Sequence, residues 1–149
     1  MRFLLFVSLV LVVLSCKKVD PAEQAQIDDE IIQDYLETYE IVAEKLDNGL
    51  YYSVEKAGTG PQPTEYSDVL VAYTGYFTNQ SVFDESEPEG ISFNLQQVIK
   101  GWTKGIPLFK QGARGTLYIP SALGYGTSGA GSIPPNKVLI FDIHLIEVL

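Results

Sequence analysis

Val138-Leu139-Ile140-Phe141-Asp142-Ile143-His144-Leu145-Ile146-Glu147-Val148 carries Leu139, Phe141, Ile143 and Leu145 on one side of an extended chain, and Asp142 and His144 on the other. A period of two with one apolar side is what a strand needs when one face of its sheet packs and the other is mostly wet, and antiparallel sheets accommodate that arrangement. Outward from this stretch, residues 115–119, 91–95 and 69–77 read as further strands, separated by turn-rich segments such as Gly58-Thr59-Gly60-Pro61 and residues 124–136. Asn48-Gly49 lies between residues 41–46 and 50–54, which predicts a hairpin whose two central residues both take positive φ. One helix fits inside the domain: Ile99, Trp102 and Ile106 recur at helical spacing, and Pro107 should end or kink it. The expected fold class is α+β, a twisted antiparallel sheet with one short helix against its concave side.

The chain has 149 residues, 46% of them hydrophobic and 11% aromatic, which suffices for one core and does not match a disordered composition. Its formal net charge of −9 opposes approach to phosphates, and no basic stripe offsets it, so nucleic acid is not an expected partner. One cysteine and one histidine exclude an internal disulfide, a Cys/His zinc site, and nucleophilic catalysis that needs a histidine other than His144. His144 itself reads as an outward strand residue. No metal and no cofactor is expected; the chemistry must come from carboxylates, tyrosines, backbone and apolar shape.

The amino-terminal residues read as an address. Arg2 precedes an apolar run over residues 3–14 interrupted only by Ser8, too short for the ~30 Å of a bilayer core. Val13-Leu14-Ser15-Cys16 resembles a bacterial lipobox, so residues 1–15 are expected to be a lipoprotein signal peptide and Cys16 the lipidated residue. That places the protein in the bacterial cell envelope, lipid-anchored, on a periplasmic or outer-membrane face. Residues 16–47 form an acidic tether and helix, with residues 41–46 as a candidate first hairpin strand. Ten acidic residues and one basic residue fall between Asp20 and Asp47. Ile27, Ile31, Tyr35, Tyr39 and Val42 form one helical stripe there, with Ile32 and Leu36 beside it. The stripe suits a spacer helix laid on the domain better than a dimerisation helix, because so many carboxylates repel a second copy.

Over residues 48–149 the motifs converge. Ala72-Tyr73-Thr74-Gly75, Val82-Phe83-Asp84-Glu85-Ser86, Gln97-Val98-Ile99-Lys100-Gly101-Trp102, Gly124-Tyr125-Gly126, and Ile133-Pro134-Pro135-Asn136 through Leu139-Ile140-Phe141-Asp142 resemble, in order and spacing, the FKBP family of peptidyl-prolyl isomerases. The resemblance implies a half-barrel of antiparallel sheet wrapped on a short helix, with a proline-binding hollow between them. It implies proline-containing polypeptides as substrates, macrolides as inhibitors, and assistance to the folding of exported or envelope proteins.

Carried over residue by residue, the resemblance makes Trp102 the floor under the proline ring and Phe83, Val98, Ile99 and Phe141 walls, with Tyr73 among them. Tyr73 would also donate to Asp84, placing a carboxylate near the rotating carbonyl, and the Tyr125 hydroxyl would hold a substrate backbone group. Ile133 would cap the hollow. Tyr73, Asp84 and Tyr125 are thus the catalytic candidates. Ala130 and Ser132 make the rim thinner than in many relatives, and Ile91 stands near where an aromatic residue often lines the cavity. No matched residue precedes Tyr73, so the acidic helix is expected to be dispensable for chemistry. The rival reading is a proline-segment binding module or chaperone on a lipid anchor, in which the same hollow holds its ligand without accelerating rotation.

Overall fold

The computed structural model describes residues 19–149; the signal-peptide reading and Cys16 lie outside the described residues. Helix α1 (Pro21–Thr38) starts where Asp20 caps it, a carboxylate oxygen accepting the Ala22 amide at 3.3 Å. Pro21 suits the first turn, where its missing N–H loses no helical bond. Strands follow as β1 (Glu44–Lys45), β2 (Tyr51–Lys56), β3 (Asp68–Tyr76), β4 (Val82–Glu85) and β5 (Ile91–Asn94). Helix α2 (Lys100–Gly105) runs into a 3-10 turn over Ile106–Leu108, then come β6 (Arg114–Ile119), a second 3-10 turn over Ser121–Leu123, and β7 (Leu139–Val148).

The strands form one antiparallel sheet in the order β1-β2-β6-β7-β3-β4, with β5 also paired to β3. Along the edge of β3 opposite β7, β5 pairs with residues Asp68 to Val71 and β4 with Thr74 to Tyr76. Ser86 bridges the gap: its amide donates to the Tyr73 carbonyl at 3.0 Å and its hydroxyl accepts the Tyr73 amide at 3.0 Å.

Leu139, Phe141, Ile143 and Leu145 of β7 do share one buried face, in a core with Val69, Val71, Leu117 and Ile119. Helix α2 closes that face. A Cβ on Gly101 would stand 2.5 Å from Ile119, and one on Gly105 2.7 Å from Leu117, so the absence of side chains at both positions lets α2 lie directly on β6. Pro107 ends the α-helical turns as expected, and the chain tightens into the 3-10 turn.

Four expectations change. The hairpin turn has positive φ at Gly49 but not at Asn48; the Leu46 amide donates to the Leu50 carbonyl and the Asn48 side chain accepts from the Leu50 amide, giving a three-residue loop. Its first strand shrinks from residues 41–46 to Glu44–Lys45. The face of β7 expected to be mostly wet is covered at one end, where Ile140 and Val138 pack with Tyr51 and Tyr118 under α1.

The face that α1 buries is also different. Asp28, Ile32, Tyr35 and Leu36 are buried, whereas Ile27, Ile31 and Tyr39 stay between 36% and 48% exposed and Val42 is 91% exposed. The helix lies on the domain, but through the residues beside the expected stripe, sharing only Tyr35 with it. Burying a large apolar side chain contributes ~1.5–3 kcal/mol. Ile32, Tyr35 and Leu36 therefore outweigh the half-exposed Lys45–Asp29 ion pair that also ties α1 to β1, an interaction worth about 1 kcal/mol or less.

Candidate active site

Between α2 and the inner face of the sheet lies a cavity of about 690 Å³. Alternation along β3 sends Val69 and Val71 into the core and Tyr73, next on that face, into the cavity wall. Across the ladder Phe141 is the register partner of Gly75, and its ring comes forward over the missing side chain. Trp102 on the first turns of α2 is 4% exposed, ringed edge-on by Tyr73 at 5.0 Å, Phe93 at 5.3 Å and Phe141 at 5.4 Å. Edge-to-face pairs of this kind add ~0.5–1.5 kcal/mol each beyond burial. The floor is thus held from three sides. Its Nε1–H is buried without a hydrogen-bond partner among the described residues.

Phe83 packs edge-on against Phe141 at 5.5 Å and is backed by Phe77 at 4.9 Å. Its neighbour Asp84 pairs with Gly75 across the sheet. Successive residues of a regular strand face opposite sides, yet both Phe83 and Asp84 line the cavity; the ladder shifts register just beyond, between Gly75 and Tyr76, and such irregularities re-aim side chains. The Tyr73 hydroxyl donates to Asp84 Oδ2 at 2.8 Å. Burial, and then the bond to Asp84 and its charge, hold the Tyr73 phenol well above its ordinary pKa, so it remains a donor.

The third wall is the long loop after β6. Tyr125 stands 39% exposed at the rim, and the loop tip is a hydrogen-bonded turn in which Ala130 and Ile133 exchange backbone bonds of 3.0 and 2.8 Å. Ile133 lines the cavity with Ala130, Gly131 and Ser132, while Val98 and Ile99 line it from the start of α2.

The structure therefore brings Tyr73, Phe83, Asp84, Val98, Ile99, Trp102, Tyr125, Ile133 and Phe141 to one cavity. Sequence reasoning missed Phe93 and Gln97, which also line it. Ile91, expected near an aromatic position, is 44% exposed; Phe93, two residues on along the same face of β5, supplies that ring. The period-two alternation of β5 was the signal that could have found it. His144 does not line this cavity; it faces a separate polar cleft with Arg114 and Asp142, and Tyr73 borders both hollows. No group of three or more His, Cys, Asp or Glu side chains that could hold a metal occurs among the described residues.

A single antiparallel sheet wrapped on a short helix, with an aromatic cavity between them, defines an FKBP-like domain. Residues 60–146 match the family model of the FKBP-type peptidyl-prolyl cis-trans isomerase, and the chain belongs to that family. It is 38% identical over 141 residues to the FKBP-type peptidyl-prolyl cis-trans isomerase FkpA of Aeromonas hydrophila, covering 88% of this chain and 53% of that protein. It is 42% identical over 106 residues to the outer membrane protein MIP of Legionella longbeachae, covering 69% of this chain and 46% of that protein. The crystal structure of a peptidyl-prolyl cis-trans isomerase from Pseudomonas syringae superposes with a TM-score of 0.72 at 32% identity, covering 88% of this chain and 98% of that one. The chain spans about half the length of the curated relatives it matches.

Proposed function

We propose that the chain is a peptidyl-prolyl cis-trans isomerase that turns Xaa-Pro bonds in the cavity under Tyr73, Asp84 and Tyr125. The observation that carries this is the cavity itself: an aromatic floor and walls, with one hydrogen-bonded carboxylate and one rim tyrosine. Rotation about the bond before proline must break amide resonance across ~18–20 kcal/mol and takes tens to hundreds of seconds unaided. It needs no nucleophile. A ~10⁵-fold acceleration corresponds to about 7 kcal/mol of preferential binding of the twisted amide. An amide twisted out of conjugation has lost charge separation, so a dry aromatic surface disfavours it less than water does.

In this reading the proline ring rests on Trp102 between Phe83, Val98, Ile99 and Phe141, and Ile133 closes over it. Asp84, oriented by Tyr73, sets a negative charge beside the rotating carbonyl carbon, and Tyr125 donates to a substrate backbone carbonyl. Macrolides that inhibit the family would occupy the same hollow. Residues 48–149 supply this site. The clients are exported or envelope polypeptides, and the protein is held at the envelope by lipid on Cys16; the outer-membrane name of the Legionella relative supports the compartment.

The deciding measurement is cis/trans exchange on a short Xaa-Pro peptide, where catalytic exchange broadening is expected. Saturable peptide binding without faster exchange would make the protein a proline-segment binder instead. For the anchor, Cys16→Ser should abolish acyl labelling in cells; equal labelling of that variant would refute it.

A further inference from the structure

Helix α1 carries several carboxylates, and only Asp28 among its acidic residues is buried, at 1% exposure. Its Oδ2 accepts the Ser121 backbone amide at 2.8 Å and the Ser121 hydroxyl at 2.6 Å, while Oδ1 accepts Gln24 Nε2 at 2.8 Å. Ser121 is itself 1% exposed and opens the 3-10 turn that leads to Tyr125. The Ser121 carbonyl accepts the Gly124 amide at 3.0 Å and the Gly126 amide at 2.8 Å, the two amides that flank Tyr125. The Gly126 carbonyl in turn accepts the Asn136 amide at 2.8 Å, and the Tyr125 carbonyl accepts the Gly129 amide at 3.1 Å. A continuous set of bonds thus runs from α1 to the backbone that presents the rim tyrosine.

If position 28 served only to dock the helix, an apolar residue beside Ile32 and Leu36 would do so without desolvating a carboxylate. Asp28 does something an apolar residue does not. By holding both the amide and the hydroxyl of Ser121, it fixes the orientation of that residue, and with it the carbonyl from which the Tyr125 turn hangs. We infer that Asp28 is a positioning residue for Tyr125, so that the amino-terminal helix is a working part of the cavity. This rests on the isomerase reading for its kinetic consequence, but not for its structural one.

The test uses the full chain with Asp28→Ala, Asp28→Asn, Ser121→Ala and, as control, Asp34→Ala, which removes an exposed carboxylate from the same helix. Thermal melts establish a temperature at which every variant is folded. There, kcat and KM on an Xaa-Pro peptide and hydrogen exchange of the Gly124 and Gly126 amides are read together. Asp28→Ala should lower kcat/KM about tenfold and speed exchange at Gly124 and Gly126 relative to amides of the central strand β7. Asp28→Asn keeps an acceptor oxygen toward Ser121 and should recover to within about threefold of the parent; Asp34→Ala should match it. A lowered melting point with unchanged kcat/KM and unchanged exchange at Gly124 and Gly126 would show that Asp28 only stabilises the fold, and would overturn the inference. If Asp28→Ala fails to fold, Asp28→Asn and Ser121→Ala decide: graded faster exchange at those two amides supports the coupling, and parent-like exchange at both refutes it. An inactive parent protein would sink the isomerase reading alone, leaving the exchange measurement to judge Asp28.

Discussion

Gly75→Ala tests whether the shape of the cavity is set where Phe83 and Phe141 meet. A Cβ at residue 75 would stand 2.7 Å from Phe141 Cε1 and 2.8 Å from Phe83 Cε2 and Cζ. Carbon atoms in ordinary contact sit ~3.5–4.0 Å apart, so each ring must retreat by roughly 1 Å. Phe77 backs Phe83 at 4.9 Å and Trp102 stands 5.4 Å from Phe141, which leaves the cavity as the open direction. Overpacking of this size costs about 1–3 kcal/mol, a drop of ~4–12 °C in melting temperature for a domain of this length. If the proposed function holds, rings moved by about 1 Å into the cavity should also lower kcat/KM by up to ~10²-fold in molecules that remain folded. Peptide exchange measured well below the melt separates the two losses. A variant that melts with the parent and isomerises at the parent rate would mean that the wall has slack, and that its geometry does not govern rotation.

Asp84→Asn keeps the shape and an acceptor for the Tyr73 hydroxyl but removes the negative charge; kcat/KM should fall about tenfold or more, ~1.4 kcal/mol, with an unchanged melt, and full activity would reduce Asp84 to scaffolding. Because burial and then Asp84 raise the Tyr73 pKa in the folded protein, its contribution to stability is complete below the unfolded value near 10 and is lost as pH rises beyond it. The isomerisation rate should therefore show no ionisation of Tyr73 up to about pH 10; an alkaline limb below that pH, absent in Tyr73→Phe, would contradict it. For His144 the sign reverses: burial first, then Arg114 and Lys56, lower its pKa, so its contribution is present above about 6.5 and is lost as pH falls below that. His144→Gln should flatten part of the fall in melting temperature between about pH 7 and 5, and an identical fall in both proteins would refute the assignment. Asp29 does not confuse that window: its burial is outweighed by bonds from Lys45, Tyr51 and Gln33, which lower its pKa, so its contribution is lost only below its ordinary value of 3.8.

What could be read from sequence follows the range of the interactions involved. The core face of β7 was legible because alternation is a property of consecutive residues, and the cavity residues were legible because they sit in short motifs whose order matches one family. β4 was not anticipated as a strand: only Phe83 among its four residues is partly buried and the other three are exposed, so no apolar alternation marks it. The face of α1 was misjudged for a different reason. Two overlapping stripes compete on that helix, and the choice between them depends on the apolar patch of Tyr51, Tyr118, Val138 and Ile140 that the helix meets. A buried aspartate argues against its own face in any hydrophobicity pattern, and its partner Ser121 lies 93 residues further along the chain. The expectation that the helix is dispensable for chemistry rests on where the motifs begin, and the Asp28–Ser121 contact lies outside those motifs.

Strand β7 shows why the two faces of this sheet cannot be treated separately. Phe141 points into the cavity and Ile140, its immediate neighbour, points under α1. Tyr73 stands in the cavity wall, and Tyr76, three residues further along β3, packs at the edge of the α1 cluster. The Tyr35 hydroxyl of α1 accepts Gln80 Nε2 at 2.6 Å, reaching the turn that delivers Phe83 and Asp84 into β4. Helix α1 therefore touches the chain at the entrance to β4 and at the root of the Tyr125 loop, two of the segments that line the cavity from outside α2. Protein interiors are packed densely enough that a displacement on one face of a strand is felt on the other. On the proposed isomerase reading, favouring a twisted amide by several kcal/mol calls for walls that do not yield, and α1 packs behind two of the segments that form them.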